Sequence, residues 1–220
     1  MTDIRTRNGG QLLMDSLVAL GATRGFGVPG ESYLAVLDAM VDHANAFDLV
    51  LCRQEGGAAY MAAAWGKLTG EPGLCFVTRG PGATNATVGI HTAMQDSVPM
   101  ILFVGQVGTD VMGREAFQEV DYTAFFGPLA KWAVQIDHVD RVPEIISRAW
   151  TVAMSGRPGP VVVALPEDML VGTSDRLPCD PVTIPEPAVP EAGAAQMSAM
   201  MATAESPVML VGGTRWTAGS

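Results

Sequence analysis

A single carboxylate, Glu55, stands in the segment Cys52-Arg53-Gln54-Glu55-Gly56-Gly57-Ala58-Ala59-Tyr60, between the apolar run 48–52 and an alanine-rich stretch. The pattern puts the acid where a strand ends and a helix begins, the edge of an open α/β sheet where ligands collect. One strand-helix unit later, Arg79-Gly80-Pro81-Gly82-Ala83-Thr84-Asn85 repeats the geometry. Its two glycines and proline are expected to bend the chain away from the strand 74–78. Two such turns side by side make a pocket with one acid in it. Each motif also has a plainer reading: Glu55 as an acid favoured at a helix start, and Gly80-Pro81-Gly82 as a tight turn with Thr84 or Asn85 as cap.

Other chemistries find little support. No G-x-G-x-x-G opens a helix, and the G-K-[ST] of a P-loop is missing, so neither a dinucleotide fingerprint nor a nucleotide-triphosphate loop is present. Cys52, Cys75 and Cys179 are odd in number and widely spaced, which reads as buried thiols rather than a disulfide frame or a zinc site. His43, His91 and His138 are equally scattered, so no transition-metal site is expected. His91, near Met94 on a helix, reads as a satisfied structural histidine, and Cys52 as a small core residue.

The elements that would carry these motifs follow from the apolar pattern. Leu12, Leu13, Leu17, Val18 and Leu20 recur at helical spacing, with Gly21 placed as a C-cap. Strands are expected at 25–28, 48–52, 74–78, 100–104, 131–134 and 161–165, and helices at 32–44, 55–68, 83–94 and 142–154. Continuous apolar strands alternating with helices predict a three-layer α/β/α domain with a mainly parallel sheet over residues 1–170. Pro178, Pro181, Pro185, Pro187 and Pro190 then mark a linker over 171–190. Beyond it, a helix at 192–204 and a strand at 208–213 read as the beginning of a truncated central α/β domain over 191–220.

Composition narrows the partners. A chain of 220 residues with 48% hydrophobic content and a formal net charge of −10 offers nothing to attract nucleic acid or an anionic membrane surface. A small-molecule or protein partner is favoured. The N-terminal residues contain no apolar run of signal-peptide type and no stretch suits a membrane span, so a cytoplasmic protein is expected.

With these motifs in view, the chain resembles the N-terminal, pyrimidine-binding domain of thiamine diphosphate-dependent enzymes, in the branch of acetolactate synthase and related carboligases and decarboxylases. Six segments carry the resemblance in order: Gly27-Val28-Pro29-Gly30, Arg53-Gln54-Glu55-Gly56-Gly57-Ala58, Gly80-Pro81-Gly82-Ala83-Thr84-Asn85, Gln95-Asp96-Ser97-Val98-Pro99-Met100, Ala116-Phe117-Gln118-Glu119 and Gly156-Arg157-Pro158-Gly159-Pro160-Val161. The resemblance implies that Glu55 hydrogen-bonds a ring nitrogen of the aminopyrimidine and favours the imino tautomer, whose nitrogen takes the thiazolium proton. Such an acid must share its proton while shielded from water, and burial among apolar neighbours pushes a carboxyl toward that behaviour. Pro29 and Gly30 would lie against the ring, with Pro81 and Asn85 in the second turn beside it. Phe117 and Gln118 would face the reacting centre, and Lys131 would stand near the substrate channel. Read from sequence alone, Phe117 and Gln118 are equally loop residues and Lys131 a solvated strand-end lysine.

Two positions depart from the acetolactate synthase pattern: Glu31 where another glycine usually follows Pro-Gly, and Arg79 where serine usually precedes Gly-Pro-Gly. The resemblance further implies a 2-oxo acid substrate such as pyruvate. The diphosphate and its Mg2+ would be held by a C-terminal domain, marked by Gly-Asp-Gly and Asn-Asn motifs that this sequence lacks. Because that domain comes from another subunit, the chain would carry half a site, associate as a homodimer or tetramer, and be inactive alone. FAD stays open, since its site in acetolactate synthases lies mainly in the central domain. Two alternatives remain: a separately encoded pyrimidine-domain subunit of a two-subunit decarboxylase, and a non-catalytic interaction domain of the same fold.

Overall fold

The computed structural model describes residues 6–185 and 188–213. Residues 1–5 of the stretch read for a leader, 186–187 of the linker and 214–220 of the expected central domain lie outside the described residues. The chain begins with β1 (Arg7–Asn8), α1 (Gly9–Ala19), β2 (Arg24–Gly27), a 3-10 turn (Glu31–Tyr33) and α2 (Leu34–Asp42). Next come β3 (Asp48–Leu51), α3 (Glu55–Thr69), β4 (Gly73–Val77), α4 (Gly80–Gln95) and β5 (Met100–Gln106). After a long loop follow α5 (Tyr122–Phe126), β6 (Trp132–Gln135), a second 3-10 turn (Val139–Arg141), α6 (Val142–Met154), β7 (Pro160–Pro166), α7 (Glu167–Val171), β8 (Thr173–Ser174) and α8 (Glu191–Thr203).

Six strands pair in parallel in the order β3-β2-β4-β5-β7-β6, while β1 and β8 form a separate antiparallel pair. Both faces of the sheet are covered, which explains the continuous apolar runs. Along β5, Ile101 and Phe103 enter the cluster under α1, α2 and α6, whereas Met100, Leu102 and Val104 enter the cluster under α3, α4 and α5. The three-layer α/β/α architecture thus follows from alternating side chains that are apolar on both sides.

The two helical layers pack differently. α6 is amphipathic, burying Val142, Ile145, Ile146, Ala149, Trp150 and Ala153 on one face. α3 instead buries Gly56, Ala58, Ala59, Ala62, Ala63 and Gly66, so that backbones approach closely. A Cβ on Gly89 of α4 would collide with Ala59 of α3, and one on Gly73 would collide with the Ala62 carbonyl. Gly21 ends the α1 turn at φ 94°, in the left-handed region, and the Ala22 N–H donates to the Leu17 carbonyl at 3.0 Å.

Several expectations need correction. α4 starts at Gly80, not Ala83: Gly80, Pro81 and Gly82 form its first turn, where the missing proline N–H has no partner to lose. Residues 208–213 form no strand and are exposed, because among the described residues no neighbouring strand accepts their backbone hydrogen bonds. α8 forms as expected but buries none of its residues. Of the three thiols, only Cys75 is buried; Cys52 and Cys179 are half-buried, and none is in a disulfide. No helix among the described residues is long and apolar enough to cross a membrane.

Candidate functional site

All six strands of the main sheet run the same way, so the C-terminal ends of β2, β3 and β4 share one edge. The chain leaves β2 to one side to form β3, then crosses to the other side to form β4. The boundary between β2 and β4 is therefore the topological switch point, where the connections diverge and open a crevice. Pro29 and Gly30 follow β2, Glu55 follows β3, and Thr78 and Arg79 follow β4.

Glu55 is the first residue of α3. The N-cap role is filled by Gln54, whose side-chain oxygen accepts from the Gly57 N–H at 2.9 Å. The Glu55 carboxylate is thereby released from capping and turns to α4, where Oε2 accepts from Asn85 Nδ2 at 3.0 Å. Among the described residues Oε1 takes no hydrogen bond. Glu55 is half-buried and Asn85 exposed.

The floor of the crevice is fixed by close contacts between strand ends. A Cβ on Gly30 would lie 2.6 Å from Thr78 Cβ, so the backbone after β2 rests directly on the residue after β4. Ser32 Oγ and Thr78 Oγ1 are 3.0 Å apart and share a hydrogen bond. The Tyr33 hydroxyl donates to the Val28 carbonyl at 2.6 Å, and burial pushes its pKa up, so it stays a donor at neutral pH. Pro29 and Pro81 are both exposed at this edge.

A loop between β5 and α5 reaches the same edge. The Gly80 N–H donates to the Gln118 carbonyl at 3.0 Å, and Gln118 adopts φ 66°. The Glu119 carboxylate ties the loop together by accepting from the N–H groups of Gly113 at 2.6 Å and Ala116 at 3.0 Å. Those backbone bonds hold the Glu119 pKa below its ordinary value. Phe117 is 73% exposed beside them and touches no core cluster.

Lys131 is not part of this arrangement. It precedes β6, at the opposite edge of the parallel sheet, where its N–H bonds the Pro160 carbonyl at 2.8 Å. Its ammonium donates to the Val152 and Ser155 carbonyls at 2.5 and 2.6 Å, closing the C-terminal end of α6. The solvated reading of Lys131 is corrected: it is a half-buried helix cap. His91 also differs from expectation, lying exposed on the outer face of α4 with Val88 and Gln95.

Sequence reasoning marked Arg79 as a departure but missed its partners. Arg79, only 11% exposed, pairs through Nη2 with Glu167 at the start of α7, and its Nη1 lies 3.8 Å from Glu31. The two positions that depart from the acetolactate synthase pattern thus face each other. Their pairing depends on β2 and β4 being neighbours, which only the strand order supplies. The Ser32–Thr78 contact was hidden for the same reason.

The model of the thiamine pyrophosphate enzyme N-terminal TPP binding domain matches residues 7–125, more than half of the chain. The chain is 37% identical over 206 residues to the acetolactate synthase isozyme 2 large subunit of Escherichia coli, covering 94% of this chain and 37% of the relative. It is 41% identical over 162 residues to the acetolactate synthase large subunit of Lactococcus lactis, covering 74% and 28%, and 35% identical over 206 residues to the acetolactate synthase of Bacillus subtilis, covering 93% and 36%. The chain therefore spans about a third of the length of these relatives. A parallel sheet with its crevice at a switch point, one acid paired to an amide across it, and this sequence match place the chain in the family of thiamine pyrophosphate enzyme N-terminal TPP binding domains.

Proposed function

We propose that this chain supplies the pyrimidine-binding half of the active site of a thiamine diphosphate-dependent carboligase or decarboxylase of the acetolactate synthase type, acting on a 2-oxo acid such as pyruvate. The observation that carries the reading is the Glu55–Asn85 pair: one carboxylate oxygen fixed at 3.0 Å by an amide, the other available. An aminopyrimidine presents a flat ring whose nitrogen needs a proton-sharing partner, and Glu55 Oε1 is placed to be that partner. Gly30, whose lack of a side chain lets the backbone after β2 rest against Thr78, fixes the chain at the crevice edge where the ring would lie. The residues present therefore fit the group.

When bound, thiamine diphosphate supplies the electron sink for cleaving and forming bonds beside a carbonyl. The protein supplies the rest. Glu55 holds a proton between its Oε1 and the ring nitrogen, and Asn85 keeps Oε2 from rotating into that place. Gln118, tied to Gly80, positions its side of the loop over the crevice, with exposed Phe117 beside it. In this reading the diphosphate and Mg2+ sit on a domain contributed by another subunit, and the working assembly is a homodimer or tetramer. The exposed Leu51, Tyr60, Met61 and Val88 around the acid support such a cover.

Calorimetric titration of the purified chain with thiamine diphosphate tests the reading. Weak saturable binding, lost in Glu55→Gln, with no turnover of pyruvate until a diphosphate-binding partner is added, is the expected result. Absence of binding even at millimolar cofactor, or equal binding by Glu55→Gln, overturns it.

A further inference from the structure

The loop between β5 and α5 is anchored at its base by side chains that the site itself does not use. Gln106, 3% exposed at the end of β5, holds both ends: its oxygen accepts from the Val107 N–H at 3.0 Å, and its amide donates to the Val120 carbonyl at 2.8 Å. Just beyond Val107, Asp168 of α7 takes two more bonds. Its Oδ1 accepts from the Thr109 N–H at 3.1 Å and its Oδ2 from the Thr109 hydroxyl. Burial pushes the Asp168 carboxyl up, yet these hydrogen bonds outweigh it and hold its pKa below the ordinary value.

The residue before Asp168 serves a different segment. Glu167 contacts Arg79 Nη2, and Arg79 is the N-cap residue of α4. Glu31, 74% exposed and 3.8 Å from the same guanidinium, is held too loosely to replace Glu167. No side chain caps α4, so its first N–H, that of Gly80, turns to the loop and donates to the Gln118 carbonyl at 3.0 Å. The loop thus caps the helix that carries Asn85. Adjacent acids on α7 hold the two partners of that cap, Glu167 on the helix side and Asp168 on the loop side.

α7 is itself fixed. Met169 and Leu170 are buried, the Gly172 N–H donates to the Asp168 carbonyl at 2.9 Å, and the Gly9 N–H donates to the Gly172 carbonyl at 3.0 Å. A Cβ on Gly9 would collide with the Met169 carbonyl, so the start of α1 rests directly on α7. Pairing of β7 with β5 brings Pro166 opposite Gln106, which sets the first residues of α7 beside the base of the loop.

We propose that Glu167 and Asp168 are positioning residues of the site, one acting through Arg79 and the other through Thr109, which keep the loop of Phe117 and Gln118 seated on the first turn of α4. The proposal rests on the reading of this edge as a thiamine diphosphate site and adds two residues that act on it through others. Breaking either contact frees one partner of the Gly80–Gln118 bond, and the loop and the helix lose their common register.

The test is native-state hydrogen exchange at the Gly80 amide of the full 220-residue chain, alongside calorimetric titration with thiamine diphosphate. Glu167→Gln, Asp168→Asn and Thr109→Val should each speed Gly80 exchange about tenfold, the scale of a lost charge-assisted hydrogen bond, and weaken the cofactor several-fold. Thr109→Ser keeps both donors and should restore wild-type values. Lys131→Met, at the far edge of the sheet, separates positioning from stability alone and should leave both readouts unchanged. Should Glu167→Gln fail to fold, Arg79→Lys, which keeps the charge and loses the planar fork, takes its place. Gly80 protection unchanged in the variants of either acid, an equal loss in Lys131→Met, or faster exchange with unaltered cofactor affinity overturns the proposal. The expected exchange without any cofactor binding by the wild-type chain sinks the functional reading alone; cofactor binding with exchange unmoved sinks the proposal alone.

Discussion

Asn85 Nδ2 lies 3.0 Å from Glu55 Oε2, so the orientation of the acid on α3 is set by a residue of α4. Each helix starts at the end of its own strand, and the two meet only because β3, β2 and β4 are side by side. The acid and its orienting group are therefore coupled through the sheet rather than through local sequence.

Replacing Glu55 by Gln removes the proton-sharing oxygen but keeps the shape and the contact with Asn85. Turnover in the assembled enzyme should fall by roughly a hundredfold or more, the usual scale for losing a proton-transfer group, and cofactor affinity should weaken. Melting temperature should move little. Full activity in Glu55→Gln would favour the non-catalytic interaction reading.

Gly30→Ala places a methyl carbon 2.6 Å from Thr78 Cβ. The φ of −152° at Gly30 is ordinary extended backbone, so the penalty is steric, about 1–3 kcal/mol for overpacking. Denaturant unfolding should show that loss, together with weaker cofactor binding as β2 and β4 separate at their ends. Wild-type stability would mean that the loop shifts freely.

Acid should loosen the loop that carries Phe117 and Gln118. The Glu119 pKa is lowered in the folded chain by the bonds from Gly113 and Ala116. Its contribution is complete above the ordinary glutamate value and is lost as pH falls through the depressed folded value. Hydrogen exchange at the Gly113 and Ala116 amides, corrected for intrinsic rates, should accelerate across that interval. Glu119→Gln should exchange fast at every pH; persistent protection would assign the loop's order to other contacts.

Lys131→Met removes two donors from the end of α6 while keeping the aliphatic stem. A loss of about 1–2 kcal/mol is expected from the uncapped carbonyls, with thiamine diphosphate affinity unchanged, because the residue sits at the far edge of the sheet. A selective loss of affinity without a loss of stability would return Lys131 to the site.

Periodic segments were legible in the sequence. α6 was expected at 142–154 and is Val142–Met154, because its apolar stripe and flanking residues leave little choice of register. The central strands β4, β5 and β7 were visible as apolar runs, since both their faces are buried. The start of α4 was not, because glycine and proline signal a turn and a first helical turn alike. Glu55 and Asn85 were named from motifs, whereas Arg79 was noticed only as an oddity. Its partners Glu31 and Glu167 stand far off in sequence and become neighbours through the strand order. The cap that Lys131 places on α6 was not legible, because a position before a strand does not reveal which carbonyls its side chain meets.

Gly89 and Ala59 carry no functional group, yet each stands four residues after a member of the polar pair: Gly89 after Asn85, Ala59 after Glu55. Their contact, one helical turn of about 5.4 Å below the site, acts as a gauge. It fixes how far apart two helices stand, and through them how far an amide sits from an acid. A single methyl group at Gly89 would reset that gauge without touching any group that meets the cofactor. The tolerance of the chemistry to change is thus written into the smallest side chains of the domain rather than into its polar ones.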